Sequence, residues 1–264
     1  MIHLEFFDSH VGVSTDSDRG RHIEALWAPF VRPPAELPPN AAILTVGGQD
    51  FTHALSAFAV GVNAFALSSC ADLAVHAGVL HTGGATMALP GTSGAGKSTL
   101  TAACVRAGMG YVSDEALCLP YETSGVRAYP RPIALSLWSM KALGLADVAA
   151  SSKLNWTLEL PDATALPNVT EFIVAASTLG ETCLTPGPLR HVVVPRRSSE
   201  RAAVLTPLHR ADAVALMLKL SFNHFRRPAD AFELMTETVR AADVWELSYS
   251  DPVEAALLLT DRFS

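Results

Sequence analysis

Eight consecutive residues limit what this chain can fold into more than any other part of it. Gly91-Thr92-Ser93-Gly94-Ala95-Gly96-Lys97-Ser98 satisfies G-x-x-x-x-G-K-[ST] in full. Glycines at the first, fourth and sixth positions let the backbone turn its N–H groups towards one centre, and a following helix adds its positive end. Such a loop cradles polyphosphate. The expected ligand is ATP, with Lys97 reaching its β- and γ-phosphates and the Ser98 hydroxyl ligating Mg2+. The cofactor-binding set therefore runs Gly91, Thr92, Ser93, Gly94, Ala95, Gly96, Lys97, Ser98 and Thr99. A glycine-rich turn that matches by chance is the plain alternative. The flanking pattern argues against it: Thr86–Pro90 reads as a strand running into the loop, and Lys97–Arg106 reads as a helix closed by Gly108.

Around the loop the pattern alternates. Leu73–Leu80 is an expected strand, Gly83-Gly84 the turn of a hairpin, and Tyr111-Val112-Ser113 a short strand ending in Asp114-Glu115. Strand, loop, helix, strand in that order predicts an α/β sheet with a mononucleotide-binding corner. Upstream, His3–Phe7 and Ala42–Val46 read as strands, and residues 32–39, with four prolines, as a connector. Residues 151–187 show no clear period and read as irregular, a substrate loop or a linker. Further on, His191–Val194 reads as a buried strand. Helices are expected over Asp212–Phe222, Ala229–Ala241 and Val253–Phe263, with a strand over Val244–Tyr249. The expected organisation is a β-rich extension over 1–50 and one main domain over 51–264.

The position of the acidic pair narrows the chemistry. Asp114-Glu115 follows Lys97 by one helix and one turn, which predicts a place at the end of the neighbouring strand, beside the γ-phosphate. Motor- and transport-type ATPases place their acidic strand later, and their accessory signatures are not found. An acid so near suits a kinase, in which a carboxylate must meet both metal and acceptor hydroxyl. An ordinary Asp-Glu at a strand end is the bland reading. Arg131, held between Pro130 and Pro132, could clamp a phosphate or the acceptor, or could be a solvated surface arginine. Arg226-Arg227 offers the same choice.

Bulk properties bound the partners. A net charge of −7 predicts no general attraction to nucleic acid or anionic membrane. The stretch Ala54–Ala71 carries no charge, yet its commonest residue is alanine, and it holds Asn63, Gly61 and serines 56, 68 and 69. It reads as a buried helix rather than a membrane span. The four cysteines, Cys70, Cys104, Cys118 and Cys183, are spread without pair or metal-finger spacing, as in a reducing compartment. With no basic n-region in MIHLEFFDSH, a cytoplasmic location is expected. A homo-oligomer is compatible with all of this.

Three phrases then carry a resemblance. His76-Ala77-Gly78-Val79-Leu80, GTSGAGKSTL and YVSDE together look like the core of the HPr serine kinase/phosphorylase family and its shorter relatives. That core is shared with the ATP-dependent phosphoenolpyruvate carboxykinases. Pro130–Leu135 and Ser221–Pro228 fit the related-kinase branch more loosely, and the first 50 residues match nothing in it.

The resemblance implies an α/β P-loop nucleotide-binding core of that type with a β-rich N-terminal extension. It implies transfer of the γ-phosphoryl of ATP, with Mg2+, to a serine of a protein or peptide. The precursor of a ribosomally made peptide, lasso peptides among them, is one acceptor class. Asp114 would be the base towards the acceptor hydroxyl, and Glu115, with Asp114 and Ser98, would hold metal. His76 would be either an acid–base partner or a metal ligand; a core histidine satisfied by backbone is the third reading. Two departures count against reverse phosphorolysis and against HPr as substrate: the long N-terminal domain and the later glycine-rich signature are missing. The rival functions are a nucleotide-dependent switch protein with little transfer, and a kinase of a free small-molecule alcohol.

Overall fold

The computed structural model describes residues 1–264 except 34–36, 48–50, 146–155, 161–168 and 200–201. Its contacts divide the chain into two units: residues 1–70 with 131–175, and residues 71–130 with 176–264. The division does not fall at residue 50. The chain leaves the first unit before β5, returns to it after Pro130, and leaves again, so sequence order alone hides the grouping.

The first unit begins with β1 (Ile2–Phe6) and β2 (Ser9–Thr15), an antiparallel hairpin turned at Phe7, whose φ is 56°. Helix α1 (Ser17–Leu26) follows, capped by Asp16, whose carboxylate accepts from the N–H groups of Asp18 and Arg19. Neither β2 nor α1 was expected from sequence. Strands β3 (Val31–Arg32) and β4 (Ala42–Val46) complete a sheet of order β3-β1-β2-β4. The uncharged stretch is α2 (Phe51–Ser69). Its Leu55, Phe58, Val62 and Ala66 are buried and Val60 is exposed, so one face packs although apolar residues are not confined to it. No helix among the described residues is long and apolar enough to cross a membrane.

The second unit opens with β5 (Leu73–Thr82) and β6 (Ala85–Pro90), a hairpin through Gly83-Gly84 as expected. Then come α3 (Lys97–Arg106), β7 (Gly110–Ser113) and β8 (Ala116–Leu119).

Returning to the first unit, β9 (Ile133–Ser136) leads into α4 (Leu137–Ala142), and β10 (Trp156–Leu160) and β11 (Val169–Val174) join β9 in an antiparallel sheet. The expectation of irregular structure over 151–187 is thus corrected for 156–160 and 169–174. Those strands are short, and Thr, Pro and Asn around them mask their alternation. Residues 151–155 and 161–168 of that expectation lie outside the described residues.

The rest of the second unit is β12 (Leu189–Arg197), β13 (Val204–Pro207), α5 (Arg210–Lys219), α6 (Pro228–Arg240), β14 (Asp243–Tyr249) and α7 (Pro252–Phe263). Its sheet has the order β13-β14-β12-β6-β5-β7, with β8 also on β5. Strands β14, β12 and β6 are mutually parallel, while β5 runs against both β6 and β7. Consequently β6 and β7 point the same way. Helices cover both faces. Val75, Ala77, Val79, Ala88 and Val192 form one core with Met217 of α5 and Met235 of α6. On the other face α3 crosses β5 at Gly78, where a Cβ would collide with Thr101 Oγ1.

Candidate functional site

In a sheet built of parallel strands, ligands collect outside the carboxyl ends. Here that edge is where β6, β7, β12 and β14 all end. The glycine loop leaves β6 at Pro90, whose register partner on β5 is Ala77. Its turn needs left-handed backbone at Gly94 (φ 81°) and Gly96 (φ 86°), after which α3 begins at Lys97. Gly96 is doubly constrained, because a Cβ there would lie 2.5 Å from Tyr249 Oη. Thr92 and Ser93 are exposed, and Ser98 and Thr99 are half-buried on the first turn of α3.

Lys97 is only 5% exposed, and its Nζ donates to Thr92 O at 3.0 Å. Burial pulls its pKa below the usual lysine range, and the negative charges of Glu115 and Asp114 pull it partly back. Lysine and acidic pair therefore share one electrostatic environment.

The acidic pair follows the end of β7, the strand expected before it, but β7 is not the neighbour of β6; β5 lies between them. Nor does a strand simply end there. β7 and β8 both pair with β5: β7 shifts register between Leu80 and Val79, the register of Val79 opposite Ser113 then continues to His76 opposite Ala116 in β8, and Asp114-Glu115 are the two residues between the strands. Ser113 Oγ shapes the break by accepting from the N–H groups of Glu115 and Ala116. Asp114 is 3% exposed and accepts from Tyr111 Oη at 3.1 Å. A buried carboxylate kept by a hydrogen bond is a held group, not a solvated strand end.

His76 meets this break from β5. Its Nδ1 is 3.1 Å from the Glu115 carbonyl oxygen and 3.7 Å from Glu115 Oε1, and the ring lies edge-on to Phe222 at 5.7 Å. A proton on Nδ1 satisfies that carbonyl and makes Nε2 the basic nitrogen of the neutral ring. The phrase Ser221–His224 locks this end of β5. Asn223 donates to Asp72 O and accepts from Ala74 N, and His76 N donates to Leu220 O.

Two residues that sequence reading missed complete the edge. Tyr249, ending β14, approaches the carbonyls of Ala95 and Gly96 at 3.4 and 3.5 Å. Burial pushes its hydroxyl up to about 12, so it stays a donor. Arg197, ending β12 opposite Tyr249, has its Cδ 3.4 Å from the place a Gly96 Cβ would take. Nothing local in the sequence marks them; parallel pairing brings them to the loop.

Arg131 falls in the first unit, as the first residue after Pro130 of the second. Arg227 is committed elsewhere: it is 2.7 Å from Asp230 and 3.6 Å from Glu122, and its guanidinium stacks on Tyr121 at 4.2 Å. Among the described residues no three His, Cys, Asp or Glu side chains gather as a metal group. No protein-family model matches the chain, and no curated protein is significantly similar to it.

Proposed function

We propose that the second unit is a P-loop nucleotide-binding core of the HPr kinase/phosphoenolpyruvate carboxykinase type, and that it transfers the γ-phosphoryl of ATP to a serine hydroxyl of a protein or peptide. One observation carries the reading. A glycine loop with left-handed backbone at Gly94 and Gly96 leads from β6 into α3, whose first residue, Lys97, is buried, and the buried Asp114 follows β7 in the same sheet.

The donor set suits Mg2+. Magnesium binds through one or two carboxylates, waters and phosphate oxygens, and needs no cage of protein ligands. Ser98 and Glu115, with Asp114, are the residues that would hold it, and when bound it supplies neutralising charge at the β- and γ-phosphates.

In the transfer, the bond from the γ-phosphorus to the β-bridging oxygen breaks and a bond to the serine oxygen forms. The hydroxyl proton passes to the Asp114 carboxylate, which accepts a hydrogen bond from Tyr111 Oη. Lys97 and the loop amides stabilise the charge that develops, which is positioning and electrostatics rather than covalent catalysis. His76 acts on Glu115 and the break from the side of β5.

Lys97→Ala tests the reading. Removing the lysine charge from the β- and γ-phosphates should cost more in turnover than in MgATP affinity, because charge grows towards the transition state. Unchanged MgATP turnover in this variant would sink the assignment. Tight MgATP binding by the wild type with no transfer to any peptide or metabolite would favour a switch protein instead.

A further inference from the structure

Helices α5 and α6 pack side by side on the face of the sheet opposite α3, and the groove between them is apolar along most of its length. Arg210, Val214 and Leu218 of α5 and Phe232, Thr236 and Arg240 of α6 line it, each set at a spacing of four residues, so each helix gives it one face. The cavity of about 410 Å³ is large enough to take side chains. Its two ends differ. At the far end Arg210 donates to Ala242 O, next to the start of β14, and Arg240 ends α6. Among the described residues neither arginine is within ion-pair distance of a carboxylate. At the near end α5 leads to Ser221, which bridges to Val75 of β5, and to Phe222, edge-on to His76. Exposed aromatic rings continue from there: Phe222 at 36%, Phe225 of the 3-10 turn His224–Arg226 at 67%, and Phe232 at 56%. We propose that this face docks the acceptor, through an amphipathic segment whose apolar side chains fill the groove and whose carboxylates meet Arg210 and Arg240. The inference rests on the kinase reading above and names what the acceptor must carry.

Continuity and charge select the occupant. Exposed phenylalanines scattered singly need no explanation, but three that start beside His76 and end in an apolar groove form a track. A polypeptide whose serine stands at Asp114 can bury its apolar side chains along it. The chain carries a net charge of −7 and repels acidic partners in general, so two guanidinia that face no carboxylate mark a place where one is accepted. Arg227, before the start of α6, is held by Asp230 and Glu122, which leaves that recognition to Arg210 and Arg240. Two parallel stripes of apolar side chains with cations at one end suit the apolar face of a helix that carries acids at its own end. The seven residues of β14 span the distance between the carboxyl edge and the arginine end of the groove. That is about 20 Å, so the acids must lie at least about six residues from the serine.

A matched pair of synthetic peptides tests this on the full chain. Each carries one serine, a polar spacer of about ten residues, and a segment of leucines and glutamates at helical spacing, or the same segment with lysine in place of glutamate. Fluorescence anisotropy reads binding, and γ-labelled phosphate from MgATP reads transfer. Wild type should bind the acidic peptide more tightly and phosphorylate it with a KM about fivefold below that of the basic one, the size expected of two exposed ion pairs, at equal kcat. Arg210→Glu combined with Arg240→Glu should invert the preference, which misfolding cannot do, and should leave transfer to a short serine peptide unchanged. Phe232→Ala should raise KM for the acidic peptide and leave kcat alone. Equal affinity of wild type for the two peptides, or a preference that survives the charge reversal, would overturn the proposal. So would a wild-type dimer, seen by light scattering, that Phe232→Ala dissolves while peptide affinity stays as it was, because the occupant is then a second copy of the chain. If no peptide is labelled, the kinase reading falls, and anisotropy still decides the groove: a preference inverted by the reversal upholds a docking face for an acidic segment, and no preference overturns it.

Discussion

Lys97 has to be charged to meet phosphate, yet its surroundings favour the neutral form. Its folded pKa lies below that of the unfolded chain because burial outweighs the pull of Glu115 and Asp114. Between the two values the unfolded chain holds more protons, so nucleotide-free stability should rise as pH climbs through that alkaline window. Nucleotide affinity should move the other way and fall once pH passes the folded pKa. Urea melts and MgATP titrations across alkaline pH check both signs; affinity flat up to the ordinary lysine range would show that Lys97 is not the phosphate contact. His76 gives a second residue-scale test. If it acts on the acid–base side, His76→Ala should slow transfer without changing the Mg2+ requirement. If it is a ligand, added Mg2+ should restore the rate. A Mg2+ titration of the variant separates the two. At this scale much of the site was legible: His76, Lys97, Asp114 and Glu115 lie on one edge of one sheet. Arg197 and Tyr249 were not, because their nearness to Gly96 comes from two strands pairing far along the chain.

At the scale of elements, the loop is held by how closely α3 can approach β5. Gly78 is the point of contact, and Thr101 occupies the space a side chain would need. Gly78→Ala should therefore cost about 1–3 kcal/mol, the usual range for overpacking, and lift α3 off the strand. Thr101→Ala in the same chain should return most of that stability, which a denaturant double-mutant cycle would read as coupling. Additive costs would mean that α3 is positioned by something else. Helix α3 and strand β4 were readable to the residue, since a glycine loop and Gly108 frame the one and Gly47 closes the other. The break between β7 and β8 was not readable. Four residues of strand, two of bend and four of strand look in sequence like a strand end, and only the shared register on β5 makes them one line.

For the whole molecule, the sequence separated strands from helices better than it grouped them. The mixed α/β character was legible in the alternation around Gly91. The two-unit division was not, because residues 131–175 form a sheet of their own and group with residues 1–70 only through contacts distant in sequence, such as α2 against β10. The proposed transfer has its most direct test in following γ-labelled phosphate from MgATP onto a library of serine-containing peptides. The account predicts label on serine with wild type. With Asp114→Asn it predicts a fall of about 10²–10⁴-fold, the worth of a proton-transfer group, while the fold is kept. Asn is nearly isosteric with Asp but cannot take the proton, so the pair separates charge and basicity from shape. Full label transfer by Asp114→Asn, or no MgATP-dependent label with wild type, would contradict it.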